Sequence, residues 1–269
     1  MDALITAESP ASQARPLTVD AVRWPGTAAP GRARLRLYCL PHAGGGAVSY
    51  LPWSRRLAPD IEVVAVRLPG RENRHRERPA RRLGQLVPAV TRILSGDADG
   101  PFAVFGHSLG ALLAFEACRE LARLDLRQPV RLLVSGRTAP QLPSRVPPIH
   151  AAPDEALYQR LRDMGGTPPE LLADPEVMAG LLPTLRADME AAETYEYRPG
   201  PALNVPLSVF GGAQDRFADR RDIEPWGEHT RAGCRVRVYP GRHFFLHEDP
   251  EPVLRDLVSD LSTFHPAAP

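Results

Sequence analysis

Three residues of this sequence have the types and the chain order of a nucleophile, a carboxylate and a base. Ser108 lies in the run Gly-His-Ser-Leu-Gly, Asp215 follows a later apolar segment, and His243 follows the last one. A serine hydroxyl is a poor nucleophile until a base takes its proton, and a histidine oriented by a carboxylate can be that base. The sequence therefore predicts a Ser-His-Asp arrangement in which the three members are far apart along the chain.

The serine lies where an expected strand meets an expected helix. Residues Gly106–Gly110 fit the pattern G-x-S-x-G, between the apolar run Phe102–Phe105 and the helical pattern Leu109–Leu124. This is the context of a nucleophile elbow, a sharp turn that exposes the serine and favours glycine on both sides. The N-terminus of the next helix also favours negative charge beside the serine. The alternative is a Gly-Ser loop without chemistry.

The aspartate and the histidine each have rivals. Asp215 lies just past a strand end, whereas Asp219 and Asp222 lie in a segment with a helical pattern. His243 lies in a loop before the final helix, whereas His247 is too close to the start of that helix to reach back. In a chain with a nucleophile elbow the order is serine, acid, histidine. We therefore expect Asp215 to orient the imidazole of His243.

A glycine-rich loop is the second candidate element of this site. It follows the first long strand and reads Pro-His-Ala-Gly-Gly-Gly. An oxyanion needs two backbone N–H donors, one after the nucleophile and one from such a loop. We expect Leu109 and Ala43 to supply them, with Gly44 as the alternative to Ala43. Three glycines can also cradle a phosphate, but no G-K-S/T follows, which argues against a P-loop.

Apolar runs and helical patterns alternate along most of the chain. Strands are predicted over Arg34–Leu40, Ile61–Val66, Phe102–Phe105, Val130–Gly136, Val205–Gly212 and Arg235–Tyr239. Helices are predicted over Val48–Ala58, Leu83–Leu94, Leu109–Leu124 and Pro252–Phe264. This alternation predicts an α/β fold with a mostly parallel sheet and helices on both faces.

The alternation stops in a helical stretch before the last two strands. Helices are predicted there over Asp154–Met164, Pro175–Leu182 and Thr184–Tyr195, with no strand between them. We interpret the stretch as an insertion over the carboxyl edge of the sheet. The predicted organisation is a flexible tail over residues 1–23, a core over 24–143 and 201–266, and a helical lid over 144–200.

Composition excludes several classes of protein. The chain has 269 residues, 43% of them hydrophobic, and a net charge of +1, which suits a globular core and gives no electrostatic reason to expect nucleic acid or a membrane as partner. Three widely spaced cysteines argue against a disulfide framework or a zinc site. The N-terminus lacks a secretory pattern, and no apolar run approaches the roughly 20 residues of a membrane span. We expect a soluble, cytoplasmic monomer.

Seven runs of sequence carry a family resemblance. They read PHAGGGAVSY, LPGRENRHRERP, GHSLGALLAFE, SGRTAP, MGGTPPELLADPE followed by LLPTLRADMEAAETYEY, GGAQDRF and GRHFFLHE. In content and order they resemble type II thioesterases, which are stand-alone α/β-hydrolases serving polyketide synthases and nonribosomal peptide synthetases. The resemblance covers Trp24 to Phe264, and the run in the lid is more specific than the elbow.

The resemblance implies both residues and a reaction. Ser108, Asp215 and His243 match the family's triad, and Ala43 and Leu109 match its oxyanion donors. The implied reaction is hydrolysis of an acyl thioester on the phosphopantetheine arm of an acyl or peptidyl carrier protein. It clears stalled or wrongly loaded acyl groups. No metal and no separate cofactor are implied, because the phosphopantetheine enters as part of the substrate.

Three alternatives share most of these features. A carboxylesterase or lipase on the same fold would use the same triad on an oxygen ester. A catalytically silent hydrolase fold could act as a binding protein, although the intact order of the three residues argues against it. A thioesterase domain cut from the end of a synthase would keep all the motifs. The sequence leaves open whether the pathway makes polyketides or peptides.

Seven arginines lie between Arg67 and Arg82. Carrier proteins tend to be acidic, so Arg74 and Arg76 are candidates for carrier docking. The alternative, which we prefer, is a solvated loop whose arginines pair locally with Glu72 and Glu77.

Overall fold

A seven-stranded sheet crosses the part of the chain that the computed structural model describes, residues 16–24, 33–96 and 100–262. The strands are β1 (Asp20–Val22), β2 (Leu35–Leu40), β3 (Ile61–Arg67), β4 (Phe102–His107), β5 (Arg131–Ser135), β6 (Leu207–Gly212) and β7 (Cys234–Tyr239). Their order across the sheet is β1-β3-β2-β4-β5-β6-β7. All neighbours are parallel except β1, which runs antiparallel to β3.

The edge strand β1 corrects one prediction. Asp20–Val22 lies within the predicted flexible tail, yet it pairs with β3 in a register that places Asp20 opposite Arg67. The tail prediction is therefore wrong for these three residues, and residues 1–15 lie outside the described part of the chain. Three residues are too few to show an alternating pattern in the sequence. The conformation of β1 is instead set by its pairing with β3.

Nine α-helices lie in the described residues. They are α1 (Leu51–Leu57), α2 (Leu83–Gly96), α3 (Leu109–Arg123), α4 (Asp154–Met164), α5 (Pro169–Leu172), α6 (Pro175–Glu193), α7 (Arg220–Ile223), α8 (Phe245–Glu248) and α9 (Pro250–Ser262). Short 3₁₀ turns cover Ala47–Tyr50, Glu72–Arg74 and Glu224–His229. The two helices predicted on either side of Pro183 are one continuous helix, α6.

Two apolar cores cover the two faces of the sheet. Along β4, Phe102 and Val104 face one core, and Ala103 and Phe105 face the other. Helices α2 and α3 pack on the first core, and α1 and α9 pack on the second. This alternation follows from the period of two along a strand. The predicted mostly parallel sheet with helices on both faces is confirmed.

The helices between β5 and β6 have an apolar cluster of their own. Its buried members are Ile149, Leu157, Leu161, Met178, Leu185 and Met189. They come from α4, α6 and the segment before α4, so these helices pack on one another as well as on the sheet. The predicted boundaries of the lid, 144 and 200, stay a prediction.

Candidate active site

Four loops meet at the carboxyl edge of the parallel strands. The glycine-rich loop follows β2, Ser108 follows β4, Asp215 follows β6 and His243 follows β7. Parallel strands end at the same edge of a sheet, which is where open α/β sheets bind ligands. Sequence positions more than 100 residues apart therefore come together at one site.

The turn at Ser108 has a backbone conformation that few side chains adopt. Ser108 has φ 55° and ψ −112°, and it lies between the last residue of β4 and the first residue of α3. Its N–H donates to the carbonyl of Ser135 at 2.8 Å, and its carbonyl accepts from the N–H of Ala111 at 3.1 Å. Strain of this kind persists only where the surroundings impose it. The structure thus contains the sharp strand-to-helix turn that a nucleophile elbow requires.

The two glycines of the motif are required by close approach of the backbone. A Cβ at Gly106 would collide with the carbonyl group of Gly110. A Cβ at Gly110 would collide with the carbonyl group of Leu40, at the end of β2. Any larger residue at either position would push α3 away from the sheet and move Ser108.

Asp215 and His243 form a buried hydrogen-bonded pair. Nδ1 of His243 lies 2.8 Å from Oδ2 of Asp215, and both residues are less than 5% exposed. The other carboxylate oxygen, Oδ1, accepts the N–H of Phe217 at 2.8 Å. The other ring nitrogen of His243, Nε2, is buried and has no hydrogen-bond partner among the described residues. The ring nitrogen that a general base would use is therefore free.

The rival acids and the rival histidine have other surroundings. Asp219 caps α7 by accepting the N–H groups of Arg221 and Asp222, and Asp222 completes that capping box. His247 lies exposed on α8. The structure pairs Asp215 with His243, and the two rival aspartates cap α7.

Two cavities meet at Ser108. One, of about 230 Å³, is lined by Ser108, Ala43 and His243 together with residues of the loop after β5. The other, of about 420 Å³, is lined by Ser108 and Ala43, by the glycine-rich loop, and by apolar side chains of α4–α6. Both cavities include Met164 and Met189. The serine thus lies where two chambers join, with helices of the insertion over it.

The predicted oxyanion donors are placed beside the serine. Leu109 is the first residue of α3, and the first N–H groups of a helix have no partner within it. Ala43 lines both cavities together with Ser108. The N–H of Gly44, the alternative donor, is already donated to Asp188 at 2.8 Å. The structure therefore favours Ala43 over Gly44, and the two donor roles stay predictions.

Comparison with known proteins decides the family. The thioesterase domain family matches residues 35–261, which is most of the chain. The chain belongs to the thioesterase family. It is 43% identical over 216 residues to the gramicidin S biosynthesis protein GrsT of Aneurinibacillus migulanus, covering 80% of this chain and 84% of that protein. It is 37% identical over 252 residues to the thioesterase PikA5 of Streptomyces venezuelae, covering 92% and 88%.

A solved structure agrees in fold as well as in sequence. The type II thioesterase BorB from the borrelidin biosynthetic cluster superposes with a TM-score of 0.79 at 36% identity, covering 90% of this chain and 96% of that one. The α/β-hydrolase fold and the resemblance to type II thioesterases predicted from the sequence are confirmed. The protein is thus an enzyme of the thioesterase class.

One neighbour of the pair was not singled out from the sequence. His107, the residue before the serine, lies with its ring centroid 5.0 Å from that of His243. Its Nδ1 lies 3.0 Å from Oγ of Ser135, and burial, followed by the nearby His243, lowers its pKa well below the usual range. A neutral ring packs against His243 without adding charge. Its position inside the G-x-S-x-G motif was the available signal.

The two docking candidates of this thioesterase differ in exposure. Arg74 is 7% exposed, and its guanidinium donates to Glu77, Asp20 and Thr18. The docking prediction is therefore wrong for Arg74, because its charge is already neutralised inside the protein. Arg76 is exposed and stays a candidate.

Two negative findings concern residues 16–24, 33–96 and 100–262. No group of three or more His, Cys, Asp or Glu side chains in those ranges is arranged to hold a metal ion. None of the described helices combines the length and the apolar character that crossing a bilayer requires.

Proposed function

We propose that this thioesterase removes acyl groups from carrier proteins of a polyketide or nonribosomal peptide synthase by covalent serine catalysis. The observation that carries the proposal is the buried Asp215–His243 pair, whose free Nε2 belongs to a histidine lining the same cavity as Ser108. A histidine hydrogen-bonded to a buried carboxylate, in the same cavity as a serine at a sharp strand-to-helix turn, is the arrangement that serine acyl transfer needs.

The first half of the reaction forms an acyl-enzyme. Oγ of Ser108 attacks the thioester carbonyl while Nε2 of His243 takes the hydroxyl proton. Asp215 accepts the N–H at Nδ1 and stabilises the imidazolium that results. The N–H groups of Ala43 and Leu109 hold the oxyanion. The C–S bond then breaks, and the proton on His243 passes to the departing thiolate.

The second half releases the acid. Water gives its proton to Nε2 of His243 as it attacks the acyl-enzyme, and the oxyanion forms again at the same two donors. The ester bond to Ser108 breaks, and the proton returns from His243 to Oγ. The enzyme recovers its starting state without a resident cofactor, since the phosphopantetheine belongs to the substrate.

The pathways in which the relatives are named support a carrier-bound substrate. The gramicidin S protein and the borrelidin-cluster thioesterase take their names from the pathways that make these compounds. An enzyme that clears stalled chains must accept many acyl groups, and apolar chambers suit this task. One methylene in such a chamber is worth only about 1–3 kcal/mol. We place the reaction in the cytoplasm, where the three unpaired cysteines stay reduced, and we propose that the enzyme acts as a monomer.

The test compares one acyl group on three leaving groups. A hexanoyl group is presented on an acyl carrier protein, as the thioester of N-acetylcysteamine, and as an ethyl ester, and initial rates give kcat/KM for each. The expected order is carrier, then small thioester, then oxygen ester, because binding energy from the carrier can be used at the reacting centre. Ser108→Ala should abolish the covalent step and leave only the residual rate that binding and the oxyanion donors supply.

The contrary results are distinct. An oxygen ester cleaved as fast as the carrier-bound thioester would support a carboxylesterase instead. Near wild-type turnover by Ser108→Ala would refute the covalent mechanism. No turnover of any of the three, with no labelling by a fluorophosphonate, would indicate a silent hydrolase fold.

A further inference from the structure

Behind the glycine-rich loop lies a buried ion pair that the proposed reaction does not use. Nη2 of Arg71, in the loop after β3, lies 2.8 Å from Oδ1 of Asp188 on α6, and the side chains are 6% and 1% exposed. Burial raises the pKa of Asp188, and the Arg71 guanidinium and a backbone N–H oppose that rise. Burying two charges costs free energy that their attraction often does not recover. Stability alone is therefore a weak reason for this pair.

Both partners of the pair bind adjacent residues of the glycine-rich loop. Oδ2 of Asp188 accepts the N–H of Gly44 at 2.8 Å. Nη1 of Arg71 donates to the carbonyl of Gly45 at 2.7 Å. Gly44 has φ +74°, and a Cβ there would lie 3.1 Å from Leu185 on α6. The loop is thus held by the two charged side chains and lies close to α6, the helix that carries both Asp188 and Leu185.

The same helix is attached to the same region at a second point. Oγ1 of Thr184, one turn before Asp188, donates to the carbonyl of Gly70 at 2.6 Å. Gly70 directly precedes Arg71, so α6 and the loop after β3 are joined at two neighbouring points, this hydrogen bond and the ion pair. A displacement of α6 would break these contacts together and release the glycine-rich loop.

We propose that Asp188 and Arg71 are positioning residues that orient the Ala43–Gly44 backbone for oxyanion stabilisation, so that helix α6 completes the oxyanion hole. This inference rests on the proposed function, which makes Ala43 an oxyanion donor. Donors stabilise the developing charge only when they are held in place before the reaction. Helix α6 must therefore be seated for acyl transfer to proceed at full rate.

The test separates transition-state stabilisation from binding. Asp188→Asn keeps the shape of the side chain and removes its charge, and active sites are counted by titration with a fluorophosphonate. Three quantities are compared with wild type: kcat for hexanoyl-N-acetylcysteamine, the Ki of a hexyl trifluoromethyl ketone, and the Ki of the matching hexanoyl amide. The ketone forms an oxyanion on Ser108, whereas the amide binds as the ground state does.

We expect kcat per titrated site to fall about 10²-fold, since a misplaced group costs about that much. The ketone should weaken by the same factor, while KM and the amide Ki stay within about three-fold of wild type. Asp260→Asn is the matched control. It breaks another buried ion pair, with Arg237 on β7, far from the glycine-rich loop in the sheet order, and it should leave kcat and the ketone Ki unchanged.

Other results overturn the inference. A wild-type kcat per site in Asp188→Asn, or equal weakening of ketone and amide, would show that the pair only fastens the helix. If Asp188→Asn does not fold, Arg71→Lys replaces it, because lysine keeps the charge but lacks the forked donor of arginine. A ketone Ki for Arg71→Lys equal to that of wild type would overturn the inference. If the wild-type enzyme does not hydrolyse the thioester yet binds the ketone, only the proposed function is refuted. The ketone Ki values of wild type and Asp188→Asn would still test the role of the Arg71–Asp188 pair.

Discussion

Both oxygens of the Asp215 carboxylate have an assigned partner. Oδ2 lies against Nδ1 of His243, and Oδ1 accepts the N–H of Phe217. Two acceptors are needed because both neighbours donate. The aspartate thus fixes which ring nitrogen of His243 carries the proton, and it fixes the loop that holds the aspartate itself.

Replacement of this carboxylate by an amide should reverse the tautomer. In Asp215→Asn, Oδ1 can still accept from Phe217, so the amide nitrogen faces Nδ1 of His243 and donates to it. The proton then moves to Nε2, which can no longer act as the base. We expect kcat to fall about 10⁴-fold with little change in KM. Steady-state kinetics on the hexanoyl thioester would measure this.

Asp219→Asn is the control for that substitution. Asp219 caps α7 and pairs with the exposed Arg145, and asparagine caps a helix about as well as aspartate, so this substitution should leave kcat within about two-fold of wild type. An equal loss of kcat in Asp215→Asn and Asp219→Asn would contradict the assignment of Asp215 as the residue that orients His243.

Among the elements, the three helices of the insertion differ in how firmly they are attached. Helix α6 is joined to the sheet domain by Thr184 and Asp188, and Glu190 on its last turns pairs with Arg81 and Arg82. Helix α5 has no buried residue. Elements with few buried contacts open at lower free energy than the core. Motion of the insertion should therefore concentrate in α5 and its flanking loops.

Amide hydrogen exchange should report this gradient. We expect residues 165–174 to exchange fastest, residues 184–193 more slowly, and the amides of β4 most slowly. Mass spectrometry of peptides from these three segments would measure the order. Equal protection of residues 165–174 and of β4 would contradict a mobile α5.

Helix α9 is attached to the sheet by a buried carboxylate. Asp260 accepts hydrogen bonds from Arg235 and Arg237 on β7 and from Ser208 on β6. Burial acts to raise the pKa of Asp260, but the bonds from Arg237, Ser208 and Arg235 outweigh it and hold the pKa at about 2. The charged form is thus favoured in the folded protein over the unfolded chain.

The sign of the pH effect follows from that depression. Because the folded pKa lies below the unfolded value of about 3.9, the stability from Asp260 is present above about pH 4 and is lost as pH falls toward 2. Asp260→Asn should lower the free energy of unfolding by about 2 kcal/mol at pH 7. The difference from wild type should shrink between about pH 4 and 2, as followed by urea unfolding at each pH. If the difference in free energy of unfolding between wild type and Asp260→Asn stayed constant with pH, the loss would come from packing and not from the charge of Asp260.

At the scale of the whole molecule, the larger of the two cavities at Ser108 reaches the surface at an apolar rim. Val48, Leu171 and Leu181 line this cavity and are each at least 40% exposed. His75 also lines it, and the exposed Arg76 follows directly. A carrier protein that delivers its arm through this opening would meet both the apolar rim and a positive charge.

Arg76→Gln should therefore lower kcat/KM for the acyl carrier protein and leave that for the N-acetylcysteamine thioester unchanged. A rim charge steers encounter, so we expect a loss of about two- to five-fold at low salt that fades above about 0.15 M, where the screening length is about 8 Å. Arg92→Gln, an exposed arginine on α2, is the matched control. Equal losses on both substrates would show that Arg76 has a structural role.

Local signals in the sequence determined much of this protein. Six of the seven described strands followed from apolar runs and most helices from the period of 3.6, and Ser108, Asp215 and His243 were singled out because each follows a strand end in the required order. The glycines of the motif gave the sharp turn. These features depend on neighbours along the chain, so one sequence is enough to predict them.

Only the tertiary structure decided the features that depend on distant partners. Arg74 reads as a surface charge until Asp20, 54 residues away, and Glu77 neutralise it. Helix α6 continues through Pro183 because Met178 and Leu185, on either side, are held in one apolar cluster. Arg71 and Asp188 are 117 residues apart, so their ion pair exists only once the insertion packs on the sheet. Such pairings are selected by the free energy of packing, which no local pattern encodes.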